Sequence, residues 1–126
     1  MIDAVYFEFG LVEIYKYFVI VVMKEGITVK PEYNADLESL AEKYFKDKKF
    51  GYITNRKNSY AVNPMIYLKT SEIQNLVAFA VVSPDGMKAT NLEVEKLFLK
   101  KPLKHFTNIE DAKIWIVEMI ENPYSR

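Results

Sequence analysis

The uninterrupted apolar run Leu76–Val82 constrains the fold more than any other stretch of the chain. Leu, Val, Ala, Phe, Ala, Val and Val follow one another with no polar residue between them. Such a run reads as a strand inside a sheet, with helices over both of its faces. Ser83-Pro84-Asp85-Gly86 then supplies turn chemistry. A chain with such a strand needs other strands to flank it and amphipathic helices to cover it.

Both are present. Residues 4–9 alternate, with Val5, Phe7 and Phe9 on one side and Tyr6 and Glu8 on the other, which predicts a half-buried strand. After Gly10 the parity changes, which predicts a bulge or sharp bend within that strand. Lys16-Tyr17 turns the chain into Phe18–Met23, a second apolar run, so the opening is a β-hairpin or meander. Pro31 suits a first helical turn, and Tyr33, Leu37, Leu40, Ala41 and Tyr44 follow at helical spacing. Residues 50–54 form a short strand, and Asn63-Pro64 opens a short helix over 65–73. A third helix is predicted over 87–99 with Met87, Val94, Leu97 and Phe98 inward, and Leu103–Phe106 is a last strand. Thr107 and Glu110 stand at capping-box spacing before a stripe of Ala112, Trp115, Ile116, Met119 and Ile120, and Pro123 closes that helix. The order is β-β-α-β-α-β-α-β-α, an α/β domain with a mixed sheet.

Composition narrows the chemistry. With 126 residues, half of them hydrophobic, the chain makes one domain with its own core. The absence of Cys excludes disulfides, zinc thiolate sites and thiol catalysis, and a single His excludes a His-rich metal centre. Seventeen basic residues balance seventeen acidic ones, which argues against a nucleic-acid binder. No apolar run is long enough to span a bilayer, and the N-terminus has no leader-like pattern, so a cytoplasmic location is expected. No cofactor is implied. His105 lacks a nucleophile context, and Glu93/Glu95 and Glu118/Glu121 read as solvated helix faces, so no catalytic residue is assigned.

The densest polar stretch is Asn55, Arg56, Lys57, Asn58, Ser59 and Tyr60, followed by Asn63. A helix start beyond it, together with Arg56 and Lys57, makes this loop the candidate site for an anion or an acidic partner. The competing reading is structural: Asn55, Asn58 and Ser59 satisfy backbone groups of a long turn, and Arg56 pairs with an acid. Tyr52, Tyr60 and Tyr67, with Met65, are candidates to line an apolar groove for a small hydrophobic ligand. Tyr6, Phe7 and Phe9 on the N-terminal strand are candidates for a homodimer surface.

The order of elements and the segments Phe50-Gly51-Tyr52-Ile53-Thr54-Asn55-Arg56 and Asn58-Ser59-Tyr60 resemble the small stand-alone bacterial STAS domains of the SpoIIAA-like superfamily. These domains are often described together with the CRAL–TRIO lipid-transfer fold. The resemblance implies a mixed four- to five-stranded sheet with an antiparallel N-terminal hairpin and about four helices. It implies a non-enzymatic regulatory module that binds a protein partner, with Ser59 at the position of a phosphorylated Ser. The anti-sigma-factor antagonists of that group, which such a module would resemble, carry Asp-Ser-Ser/Thr-Gly there, whereas this chain has Asn58-Ser59-Tyr60-Ala61. The alternative that the CRAL–TRIO comparison suggests is a carrier or sensor of a hydrophobic small molecule or lipid.

Overall fold

Three antiparallel strands begin the sheet: β1 (Asp3–Phe7), β2 (Gly10–Ile14) and β3 (Phe18–Met23). Parallel strands β5 (Phe50–Asn55), β7 (Leu76–Val82) and β8 (Leu103–Phe106) extend it, in the order β1-β2-β3-β5-β7-β8. The short strands β4 (Thr28–Val29) and β6 (Ala61–Val62) pair separately. The helices are α1 (Asn34–Tyr44), entered through a 3-10 turn at Pro31–Tyr33, α2 (Met65–Thr70), α3 (Leu92–Phe98) and α4 (Ile109–Glu121). The computed structural model describes residues 1–83 and 92–121. The expected Asp85-Gly86 turn, the expected helical residues 87–91 and Pro123 lie outside them. The fold is thus α/β with an antiparallel N-terminal hairpin and a mixed sheet. Among the described residues that sheet has six strands rather than the four or five expected.

The extra strand comes from Gly10. The chain does not bulge there; β1 ends at Phe7 and reverses across Glu8-Phe9, with Phe7 paired to Gly10. A Cβ on Gly10 would lie 2.2 Å from the Val22 carbonyl oxygen, so β2 can meet β3 only with no side chain at this point. The parity change in the sequence therefore marks two strands, not one bent strand. Phe9 is consequently buried, stacked on Phe7 at 5.3 Å and tilted against Tyr33 at 5.3 Å. Of the three aromatic residues considered for a homodimer surface, only Tyr6 is largely exposed, at 79%.

β7 explains its own apolar run. Phe50 pairs with Leu76 but Gly51 pairs with Ala78, so Val77 is an extra residue in the strand. This resets the alternation: Leu76, Phe79 and Val81 join the core beneath α1 and α2, while Ala78, Ala80 and Val82 join the core beneath α4. Every position after the bulge is covered, which is why none is polar.

The two cores differ in how closely the helices approach. On one face, α4 presses Ala112, Ile116 and Met119 onto a floor of small residues. A Cβ on Gly51 would lie 2.3 Å from Ile116, so this floor admits no larger residue. Trp115 is half-buried at the margin, tilted on Phe106 at 5.6 Å. The cap of α4 is Asn108 rather than Thr107: Asp111 N–H donates to Asn108 Oδ1 at 2.9 Å, and the Asn108 amide donates to the Asp111 carboxylate at 2.9 Å. On the other face lie α1, α2 and a larger aromatic core, and here the packing leaves space.

Candidate functional site

The space lies where β5 faces α1 and α2. Tyr52 and Thr54 alternate onto this face, and Arg56 continues the same parity just past the end of the strand. Together with Val12, Val21 and Phe79 of the sheet and Leu37, Ile66 and Tyr67 of the helices, they enclose a cavity of about 40 Å³. Its walls are mostly apolar and aromatic. The Tyr52 ring stacks on Phe79 at 4.4 Å, and Tyr67 meets Phe79 edge-on at 5.8 Å. These contacts fix the rings that define the cavity shape.

Its polar end is built around a buried ion pair. Arg56 Nη2 donates to both carboxylate oxygens of Glu95, at 2.6 and 2.7 Å. The Tyr67 hydroxyl donates to Glu95 Oε2 at 2.9 Å, and the guanidinium lies over the Tyr60 ring at 5.9 Å. Thr54 Oγ1 and the Tyr60 hydroxyl are 3.1 Å apart. Burial, which opposes its charge, is outweighed at Arg56 by Tyr60 and Glu95, and its pKa lies above the ordinary value. Burial, with Glu95 adding to it, raises Tyr67 well above the ordinary phenol range. Burial likewise raises Tyr52, reinforced by Tyr60 and Glu95 and opposed by Arg56. All three tyrosine and arginine side chains therefore keep their ordinary protonation states at neutral pH. At the far end of the cavity, Thr70 Oγ1 lies 2.7 Å from Asn34 Oδ1, and the Asn34 amide donates to Glu38 at 2.9 Å.

The Tyr52 hydroxyl differs from its neighbours. The residue is only 8% exposed, it lines the cavity, and its hydroxyl makes no hydrogen bond to a described residue.

A second concavity, of about 270 Å³, lies outside the polar end. Asn58, Pro64, Val94 and Glu95 line it. Arg56, Tyr60, Val62 and Tyr67 line both spaces, so they form the partition between the cavity and the outer groove.

The candidate loop residues divide among several roles. Arg56 is buried with Glu95, as the structural reading of the loop allowed, so its charge is already met by an acid. Glu95 itself is 4% exposed, which corrects its assignment to a solvated helix face. The register of α3 differs accordingly: Glu95 and the following Leu99 are buried, while Val94 and Leu97, expected inward, are exposed. Asn58 donates to the Met23 carbonyl at 2.8 Å, and Ser59 N–H donates to Glu25 at 2.5 Å. Both tie the loop to the end of β3. Asn55 is the last residue of β5, paired with Val82, and Lys57 is exposed. Asn63 accepts from Met65 N–H at 3.1 Å, but α2 has only six residues and Ser59 stands well before it. The short helix expected beyond the loop is present but has under two turns, so the positive field at its start is weak.

Of the groove residues, Tyr52, Tyr60 and Tyr67 line the cavity, whereas Met65 is exposed and does not. His105 pairs across from Val81, and its Nε2 is buried with no hydrogen bond to a described residue. Among the described residues, no cluster of acidic or His side chains is placed to hold a metal, and no helix is long and apolar enough to cross a membrane. Sequence reasoning missed Thr54, Phe79, Ile66, Asn34, Thr70 and Glu95. For Thr54 the signal was available in its parity with Tyr52; for Glu95 no local pattern announced burial. Comparison with family models, with curated proteins and with solved structures gives no match for this chain.

Proposed function

We propose that this domain binds a small, mostly apolar, uncharged molecule between its sheet and the α1–α2 layer, and serves as a sensor or carrier of it. The observation that carries the proposal is the aromatic cavity beside an outer groove, with Arg56, Tyr60, Val62 and Tyr67 shared between them. Pockets of this kind, apolar with a few convergent polar groups, are the usual sites for small ligands. The cavity alone, at about 40 Å³, has room for about three water-sized centres. A ring-sized guest needs Tyr60 to swing toward the outer groove, whose volume of about 270 Å³ accommodates it. An acyl chain is far larger than either space, so a small guest is favoured over a lipid. No catalytic role is proposed.

A partner-binding module of STAS type is less favoured by the same geometry. Arg56 is committed to Glu95, which leaves Lys57, Ser59 and Asn63 as the exposed part of the expected site.

Titration with toluene, followed by methyl NMR and thermal unfolding, tests the proposal. The expected shifts concentrate on Val21, Val62 and Ile66, which line the cavity. Toluene at a hundred times its Kd raises stability by about 2.7 kcal/mol. Tyr60→Ala opens the partition and strengthens binding. Shifts that fall instead on the exposed Ile2 and Leu97, in both proteins, would refute it.

A further inference from the structure

The Tyr52 hydroxyl sets a condition on the ligand. A hydroxyl that opens on a cavity without a protein partner is available to a guest. Tyr52 is 8% exposed, lines the cavity, and donates to no described residue. Of the other polar groups on the wall, Tyr67 is engaged with Glu95 and Thr70 with Asn34, while the contact of Tyr60 with Thr54 opens when Tyr60 swings to admit the guest. The ring stacks on Phe79 at 4.4 Å and lines the cavity.

We infer that the ligand is a small uncharged alcohol of the phenol class, whose hydroxyl hydrogen-bonds to Tyr52 while its apolar body lies against Phe79, Val21 and Ile66. This rests on the cavity being the binding site, and it adds which group the ligand must carry. Charge disfavours acids and amines as guests. Arg56 and Glu95 neutralise each other at 2.6 Å, so a charged guest would enter a mostly apolar space whose ion pair is already balanced. A hydroxyl suits Tyr52 because it both donates and accepts, so either phenol can take either role. The aromatic lining, with Phe9, Tyr33 and Tyr67 completing the walls, suits a flat ring.

The experiment compares phenol with toluene, which has a similar ring and no hydroxyl, on the wild-type protein and on Tyr52→Phe. That substitution removes one oxygen and keeps the ring stacked on Phe79. Phenol should lose affinity about five- to tenfold in Tyr52→Phe, the size of one hydrogen bond, while toluene keeps its affinity. Toluene binding also reports that the variant cavity is intact. In the unmutated framework, fluorotyrosine at position 52 should show a ¹⁹F shift with phenol that toluene does not reproduce. If Tyr52→Phe leaves phenol affinity unchanged, or weakens phenol and toluene equally, Tyr52 is not the ligand's partner and the inference is overturned although the cavity still binds. If neither compound binds the wild type or Tyr60→Ala, the cavity is not a ligand site, and both readings fall.

Discussion

The side chain with the most at stake is Arg56. Its guanidinium is buried with the Glu95 carboxylate, and Tyr67 completes the acceptor's shell. Taking such a pair out of water is expensive, and the mutual attraction roughly offsets that cost. Removing one partner is different, because it strands the other charge. Glu95→Gln should therefore destabilise the domain by about 3–5 kcal/mol, measured by urea unfolding, whereas the double replacement Arg56→Met with Glu95→Leu should recover part of that loss, short of wild type because the Tyr67 hydroxyl loses its acceptor. A loss below about 1 kcal/mol for Glu95→Gln would place the pair in water rather than in the interior. The pair also shows where sequence reading reaches its limit. Arg56 is two residues past Thr54, and continuing the β5 alternation puts it inside. Nothing in the local pattern of Leu92–Phe98 singles out Glu95 as its partner, because Glu93 and Glu95 both look like surface acids. A burial that depends on a contact 39 residues away is not written in either segment.

Among the elements, β5 and β7 carry the architecture. Their small residues Gly51, Ala78 and Ala80 form the floor on which α4 rests. Gly51→Ala should cost about 2 kcal/mol, since the new methyl meets Ile116 and the helix must shift. Combined with Ile116→Ala, the loss should fall at least about 1 kcal/mol short of the sum of the two single changes. Additive losses would mean that the methyl does not meet Ile116 at all. The strand character of Leu76–Val82 was readable from its composition, and so were α1 and the stripe of α4. The turn at Glu8-Phe9, the bulge at Val77 and the Asn108 cap were not. Each depends on how one strand or helix end meets its neighbour, and a one-residue choice there leaves the hydrophobic pattern almost unchanged.

At the scale of the molecule, alternating strands and helices after an antiparallel opening implied a mixed α/β sheet, and the structure has one. The cavity was foreshadowed by three tyrosines, but its closure depends on α1, α2 and the β6 segment meeting over the sheet, which no local pattern encodes. The β6 segment is the weakest part of that closure. Its ladder with β4 is two residues long, supported by Ala61 N–H to Ile27 O and Asn63 N–H to Val29 O, both at 2.9 Å. Hydrogen exchange at Ala61 and Asn63 should be faster by orders of magnitude than in β5 and β7, and phenol should slow it. Exchange as slow as in the central strands would rule this segment out as the way in.

β5 also has a practical consequence for protein engineering. Its odd positions, Gly51 and Ile53, face α4, while Tyr52, Thr54 and the following Arg56 face the cavity. The two sets share no partner across the sheet, so edits to one should combine with edits to the other almost additively. A designer wishing to exchange the guest can recode Tyr52 and Thr54 and leave Gly51 and Ile53 untouched, with the scaffold and the specificity held on opposite sides of a single strand.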